Sequence, residues 1–210
     1  MRELLFFYRG YLQALFFICL LTYVWFFPEQ IVDGTWLDPL SDVIGIGGLT
    51  AGALLRILAV SHPGKQTRSR TIKASQLITT GPYSCVRNPI YLANFLIGAS
   101  LIVLAEAFLW LPLYFIIFGV PYQLIVAQEE HFLRNKFGRD FERYCTRVRR
   151  WLPQFKSISN ALKFGNKFHP KELGTTVGLL IGAFSIEWID SPVNRAWIIS
   201  LCHWLQKSAG

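Results

Sequence analysis

Two short clusters in this chain bring together residue types that can do chemistry. The first reads Gly81-Pro82-Tyr83, then Val86-Arg87-Asn88-Pro89-Ile90-Tyr91; the second begins with the adjacent pair Glu129-Glu130 and continues to Tyr144, Arg147, Arg149, Arg150 and Trp151. Together they offer carboxylates, guanidinium groups and phenol and indole faces. That inventory suits a ligand with an amino-acid end, a cationic centre and an aromatic base. Glu129 or Glu130 would accept from the ammonium, Arg87 or an arginine of the 147–150 group would pair the carboxylate, and Tyr83, Tyr91 or Trp151 would lie against the cation or the base. Four cysteines without CxxC spacing, and histidines at 62, 131, 169 and 203 with no ligand spacing, imply neither a disulfide framework nor a metal site.

The clusters are set among long apolar runs. The 210 residues are 52% hydrophobic and 15% aromatic with only 16% charged, which is too apolar for an ordinary soluble domain and points to a bilayer as solvent. The net charge of +8 is segregated between the apolar runs rather than spread over a soluble basic face, which argues against a nucleic-acid partner. A helical span needs roughly 20 apolar residues. Candidates lie at 11–27, 43–60, 90–105 and 108–127. The first lacks a small-residue cleavage site after it and reads as a retained span. The second carries Gly45, Gly48 and Gly52 at helical spacing for close packing, with Arg56 near its end. The third and fourth are separated only by Glu106 and Ala107 and must form an antiparallel hairpin, the fourth kinked by Pro112 and Pro121.

The hairpin determines where the clusters lie. The first enters the third span and the second leaves the fourth, so both come to one end of the bundle. Pro89 suits the first turn of a helix, with Asn88 as its N-cap. The 28–42 loop holds four acids and no Lys or Arg, whereas 61–89 holds Lys65, Arg68, Arg70, Lys73 and Arg87 and no acid. The positive-inside rule then puts the N-terminus and both clusters on the cytosolic side. The expected fold class is an all-α integral membrane protein, with four core transmembrane helices and a short C-terminal helical hairpin that is either re-entrant or two further tilted spans. The expected organisation is a core at 1–153, a basic linker at 154–174 and the apolar hairpin at 175–210; Gly174 at their junction, Gly178 and Gly182 present a bare face for helix packing or a homodimer.

The run Gly81-Pro82-Tyr83-x-x-Val86-Arg87-Asn88-Pro89-x-Tyr91 resembles the GPY-x-x-VRHP-x-Y motif of isoprenylcysteine carboxyl methyltransferases and their prokaryotic relatives. Glu129-Glu130-x-x-Leu133-x-x-x-Phe137-Gly138-x-x-Phe141-x-x-Tyr144, with Val148, Arg149 and Pro153, resembles the downstream half of the same family. The resemblance covers about a third of the chain. Asn88 stands where most of that family has His, and Phe141 where it often has Tyr; phospholipid N-methyltransferases are similar to this chain at Asn88, with an N-P-x-Y core and a paired Glu.

The resemblance implies S-adenosylmethionine as cofactor and a membrane lipid or another lipidated or amphiphilic acceptor that arrives from the bilayer. It implies cofactor binding by Gly81, Tyr83, Arg87, Asn88, Pro89, Tyr91, Glu129, Glu130, Tyr144, Arg149 and Trp151, with Arg87, Glu129 and Tyr91 closest to the chemistry. Two other functions compete: an NADPH-dependent membrane reductase related to sterol reductases, and a non-catalytic scaffold with a degenerate pocket. Simpler roles compete residue by residue. Glu130 and Arg134 are four apart and would make a surface ion pair worth a few tenths of a kcal/mol, the 147–150 arginines would attract anionic headgroups, and Trp25, Trp110, Trp151, Trp188 and Trp204 would sit in interfacial belts.

Overall fold

A computed structural model describes residues 2–26, 36–62, 74–154 and 158–162, together with single positions at 174, 177, 178, 181, 182, 185 and 200. The regular structure among the described residues is helical: α1 (Arg2–Phe26), α2 (Leu37–Val60), α3 (Pro89–Leu104), α4 (Trp110–Phe137), α5 (Arg139–Arg147) and α6 (Ile158–Ala161), with a 3₁₀ turn at Gly81–Ser84. Two helical stretches are long and apolar enough to cross a membrane, Pro39–Val60 and Trp110–Phe137; Ala14–Phe26 and Pro89–Leu104 are shorter apolar helices. Most of the 154–174 linker and of the 175–210 hairpin lies outside the described residues. Of the glycines expected to form a bare face there, Gly182 packs against Phe17 of α1, whereas a Cβ on Gly174 or Gly178 would meet nothing.

The pairing of α2 with α3 is the most extensive among the described residues, and the glycine spacing explains it. Gly45, Gly48 and Gly52 lie against Leu104, Ser100 and Ile97, so close that a Cβ on any of them would collide. Small residues let the two backbones approach and gain dispersion contact along their whole length. The hairpin between α3 and α4 turns at Glu106, which takes a positive φ of 50° and is buried. Its carboxylate accepts from Ser41 Oγ at 3.3 Å, which ties the turn to the start of α2.

The fourth helix departs from the expected 108–127 run. It begins at Trp110 and continues past the apolar stretch to Phe137, so Glu129 and Glu130 sit within it rather than after it. Leu133 and Phe137 explain the extension, since they keep an apolar stripe that packs against buried Phe141, Tyr144 and Val148. Between Pro112 and Pro121 the helix widens into a π turn at Phe115–Gly119. Proline at 121 cannot donate to a carbonyl one turn back, and the wider turn accommodates the missing bond.

A Gly52→Val substitution places a branched side chain where the Cβ alone already lies 2.8 Å from Ile97 and 3.2 Å from the Ala93 carbonyl oxygen. Thermal unfolding in detergent is expected to show a loss of about 1–3 kcal/mol, the usual range for overpacking. Gly47→Ala, which meets nothing within 4 Å, is expected to leave the transition unchanged or raise it slightly.

Candidate functional site

Glu130 is the electrostatic centre of the motif end of the bundle. It lies on α4, is only 3% exposed, and is surrounded by donors. Arg150 grips it with both ends of the guanidinium fork, Nη2 at 2.6 Å from Oε2 and Nε at 3.2 Å from Oε1. Arg87 Nε lies 3.2 Å from Oε1, and Asn88 Nδ2 donates to the same oxygen at 3.4 Å. A buried carboxylate needs this much compensation, because its desolvation would otherwise cost several kcal/mol. The i,i+4 pair with Arg134 expected from spacing does not form; Arg134 lies over the Phe141 ring, 5.8 Å from its centroid.

The same contacts correct the expectation for Asn88. It occupies the N-cap position of α3 and Pro89 the first turn, but the Asn88 side chain makes no capping bond. Its amide is spent on Glu130 and on the Arg150 carbonyl oxygen, at 3.4 Å each. Two backbone bonds complete the join between the clusters: Arg87 N–H donates to the Arg149 carbonyl at 2.9 Å, and Gln154 N–H to the Cys85 carbonyl at 3.0 Å. Arg149 therefore contributes its carbonyl while its side chain is exposed, and Arg150 is the arginine of the 147–150 group that reaches the buried carboxylate. Residue spacing alone could not separate the two, since 149 and 150 lie in an irregular segment after α5 where no helical or strand period says which side chain turns inward.

Glu129 plays a different part. Half-buried and one residue earlier on α4, it accepts a 2.7 Å hydrogen bond from the Tyr91 hydroxyl. Tyr91 stacks edge-on against Tyr122 with ring centroids 5.2 Å apart, which fixes the phenol. Tyr83 is close by. Burial pushes its hydroxyl well above the usual tyrosine range, and the neighbouring Tyr144 and the negative charge of Glu129 push it further. Tyr144 donates to the Tyr83 carbonyl at 2.7 Å. Burial raises its own phenol too, with the positive charge of Arg87 opposing. Trp151 packs against the core that contains Tyr91, and its indole N–H is buried without a partner among the described residues.

Gly81 holds the remaining end of the first cluster. Its φ of +60° favours glycine, and a Cβ there would overlap the His62 ring. His62, whose spacing implied no ligand role, packs on the Gly81 turn and meets Tyr83 edge-on at 6.4 Å between ring centroids, with Nδ1 held 2.9 Å from the Leu58 carbonyl oxygen. Since that carbonyl can only accept, Nδ1 carries the proton of the bond. No His/Cys/Asp/Glu cluster of metal-binding geometry occurs among the described residues.

The sequence model of the phospholipid methyltransferase family matches residues 42–140. The chain is 24% identical over 169 residues to the nickel-cobalt-cadmium resistance protein NccN of Alcaligenes xylosoxydans xylosoxydans, covering 79% of this chain and 76% of that protein. It is 27% identical over 122 residues to the cobalt-zinc-cadmium resistance protein CzcN of Cupriavidus metallidurans, covering 58% of this chain and 53% of that protein. No solved structure matches.

Two outcomes follow from the geometry. Glu130→Gln leaves Arg87 and Arg150 facing a neutral amide, and denaturation is expected to show a loss on the order of 3 kcal/mol, the low end for a buried pair because Arg150 is 38% exposed. The buried phenols of Tyr83 and Tyr144 are neutral in the fold at a pH where exposed tyrosines ionise. Their contribution is therefore complete below about pH 10, the pKa of an unfolded tyrosine, and is lost as pH rises above it. Alkaline titration of phenolate absorbance should show these two lagging the exposed tyrosines; simultaneous ionisation in folded protein would contradict the burial. Both clusters join around one buried carboxylate, and residues 42–140, which hold the first cluster and the start of the second, are similar to the phospholipid methyltransferase family.

Proposed function

We propose that the protein is an S-adenosylmethionine-dependent methyltransferase acting on a lipid-like or amphiphilic acceptor at the cytosolic face of a membrane. The observation that carries the reading is the division of labour between adjacent carboxylates. Glu130 is spent on Arg87, Asn88 and Arg150 and holds the two clusters together, while Glu129, oriented by Tyr91, presents a half-buried negative charge beside Tyr83. The family match supports the reaction class.

The residues present fit the cofactor. Trp151 offers a buried indole N–H with no partner among the described residues, the kind of donor a bound ligand would satisfy. Glu129 supplies charge for the ammonium or the sulfonium, and the Tyr83 and Tyr91 rings supply aromatic faces for a cation. The cofactor brings an electrophilic methyl group on a positive sulfur. The protein's own task is alignment and exclusion of water, because displacement at a methyl carbon needs acceptor, carbon and leaving sulfur in line. Rigid placement of Tyr91, through Tyr122 on one side and Glu129 on the other, serves that alignment.

Calorimetric titration of the purified protein in detergent with S-adenosylmethionine, its demethylated product and NADPH tests the reading. Binding of the first two is expected; binding of NADPH alone would replace methyl transfer with reduction. Glu129→Ala should weaken S-adenosylmethionine at least tenfold, since a hydrogen bond to a charged group contributes about 1.5–3 kcal/mol.

A further inference from the structure

One turn deeper than Tyr91, between α1, α2, α3 and α4, lies a cavity of about 250 Å³ that the cofactor site does not use. Its walls are apolar, formed by side chains such as Phe16, Leu20, Leu101 and Phe118, and its rim includes exposed Ala14 and Gly178. The wall leads back to the site: Phe118 meets the Tyr122 ring at 6.3 Å between centroids, and Tyr122 meets Tyr91. The π turn at Phe115–Gly119 shapes this side, since Phe118 lies in it and Tyr114 immediately precedes it. Glycine at 98 leaves the space that the Tyr114 ring fills, and the Tyr114 hydroxyl is anchored on the Phe95 carbonyl at 3.0 Å.

The polar end of the cavity consists of Arg56 and Asn94. Arg56 donates to the Asn94 amide oxygen, which leaves the Asn94 amide nitrogen with no protein partner among the described residues. Asn94 thus meets the cavity as a donor, and neither side chain has an acceptor to offer there: guanidinium has none, and the amide oxygen is already engaged. A donor-only end on an apolar slot selects an occupant with an apolar chain and an acceptor oxygen at its head. The volume lies below the range of pockets for drug-sized ligands, which suits one chain and not two.

We infer that this cavity binds a single acyl chain, with its carbonyl or carboxyl oxygen accepting from Asn94 Nδ2, and that the methyl acceptor is such a single-chain acyl amphiphile. The inference rests on the methyl-transfer reading for the acceptor's role, whereas the binding itself does not. The chain enters from the bilayer past Ala14, and its head points along the Phe118–Tyr122–Tyr91 wall toward Glu129.

Photolabelling of the full chain in detergent tests this. The probes are palmitic acid carrying a terminal diazirine, the lysophosphatidylcholine made from it, and a diacyl phosphatidylcholine with the same labelled chain. Labelling by the first two is expected on peptides carrying Phe16–Leu20 and Tyr114–Phe118, with preference between them identifying the free acid or the ester as source. Ala14→Trp at the rim and Leu101→Trp in the wall should each reduce it at least tenfold, and Ala14, being exposed, is a change the fold tolerates. Asn94→Leu should weaken both oxygen-bearing probes but leave labelling by a diazirine alkane of equal length unchanged. Labelling that persists in both tryptophan variants, or diacyl lipid that labels the cavity as well as the single-chain probes do, would overturn the inference. S-adenosylmethionine titrated against the same variants keeps the two readings apart: retained cofactor affinity with no cavity labelling removes only the acyl slot, and cavity labelling without cofactor affinity removes only the methyl-transfer reading.

Discussion

A carboxylate removed from water must be surrounded by donors or it will not stay ionised inside a fold. Glu130 imposes that constraint on everything around it. Its three partners come from two places in the chain, Arg87 and Asn88 before α3 and Arg150 after α5, so the requirement to satisfy one side chain fixes the meeting point of distant segments. Tyr91 and Glu129 take their geometry from that point, because each is a few residues along a helix from a member of the cluster. The neighbouring carboxylates are thereby separated in their contacts, one held by Arg87, Asn88 and Arg150 and the other by the Tyr91 hydroxyl.

How much of this was legible in the sequence depends on the scale of the question. The meeting of Arg87 with the paired Glu followed from topology, since two apolar runs separated by Glu106 and Ala107 can only turn back on each other. The glycine spacing on α2 foretold its close packing on α3 for an equally simple reason: a missing side chain at every third or fourth position leaves a groove. Individual side-chain partners were less accessible. Nothing in the order Arg147, Arg149, Arg150 says which one turns inward, and Asn88 has the ordinary credentials of a helix cap but makes two bonds to tertiary partners instead. His62 was invisible for a related reason. It belongs to no motif, and it matters through contact with Gly81, whose positive φ could be suspected from residue type but whose neighbour could not.

The length of α4 shows composition being overridden by packing. Its apolar stretch fades near residue 127, yet the helix runs to Phe137 because the stripe of Leu133 and Phe137 finds a small second core under α5. That extension carries Glu129 and Glu130 on a rigid element rather than on a loop, and adjacent residues on a helix point about 100° apart. Two adjacent acids on a loop would compete for the same arginines. On a helix they face different surroundings.

The backbone bonds from Arg87 to Arg149 and from Gln154 to Cys85 have a consequence in time as well as in space. They join residues separated by the whole α3–α4–α5 segment, and contacts of such long sequence separation carry a loop-closure cost that only prior formation of the intervening helices can reduce. The helical hairpin is local and can form as it inserts; the stitch at its base comes last. During synthesis, the chain emerging from the ribosome therefore acquires its membrane anchor well before its pocket, and the donors that neutralise Glu130 are incomplete until Arg150 has been made.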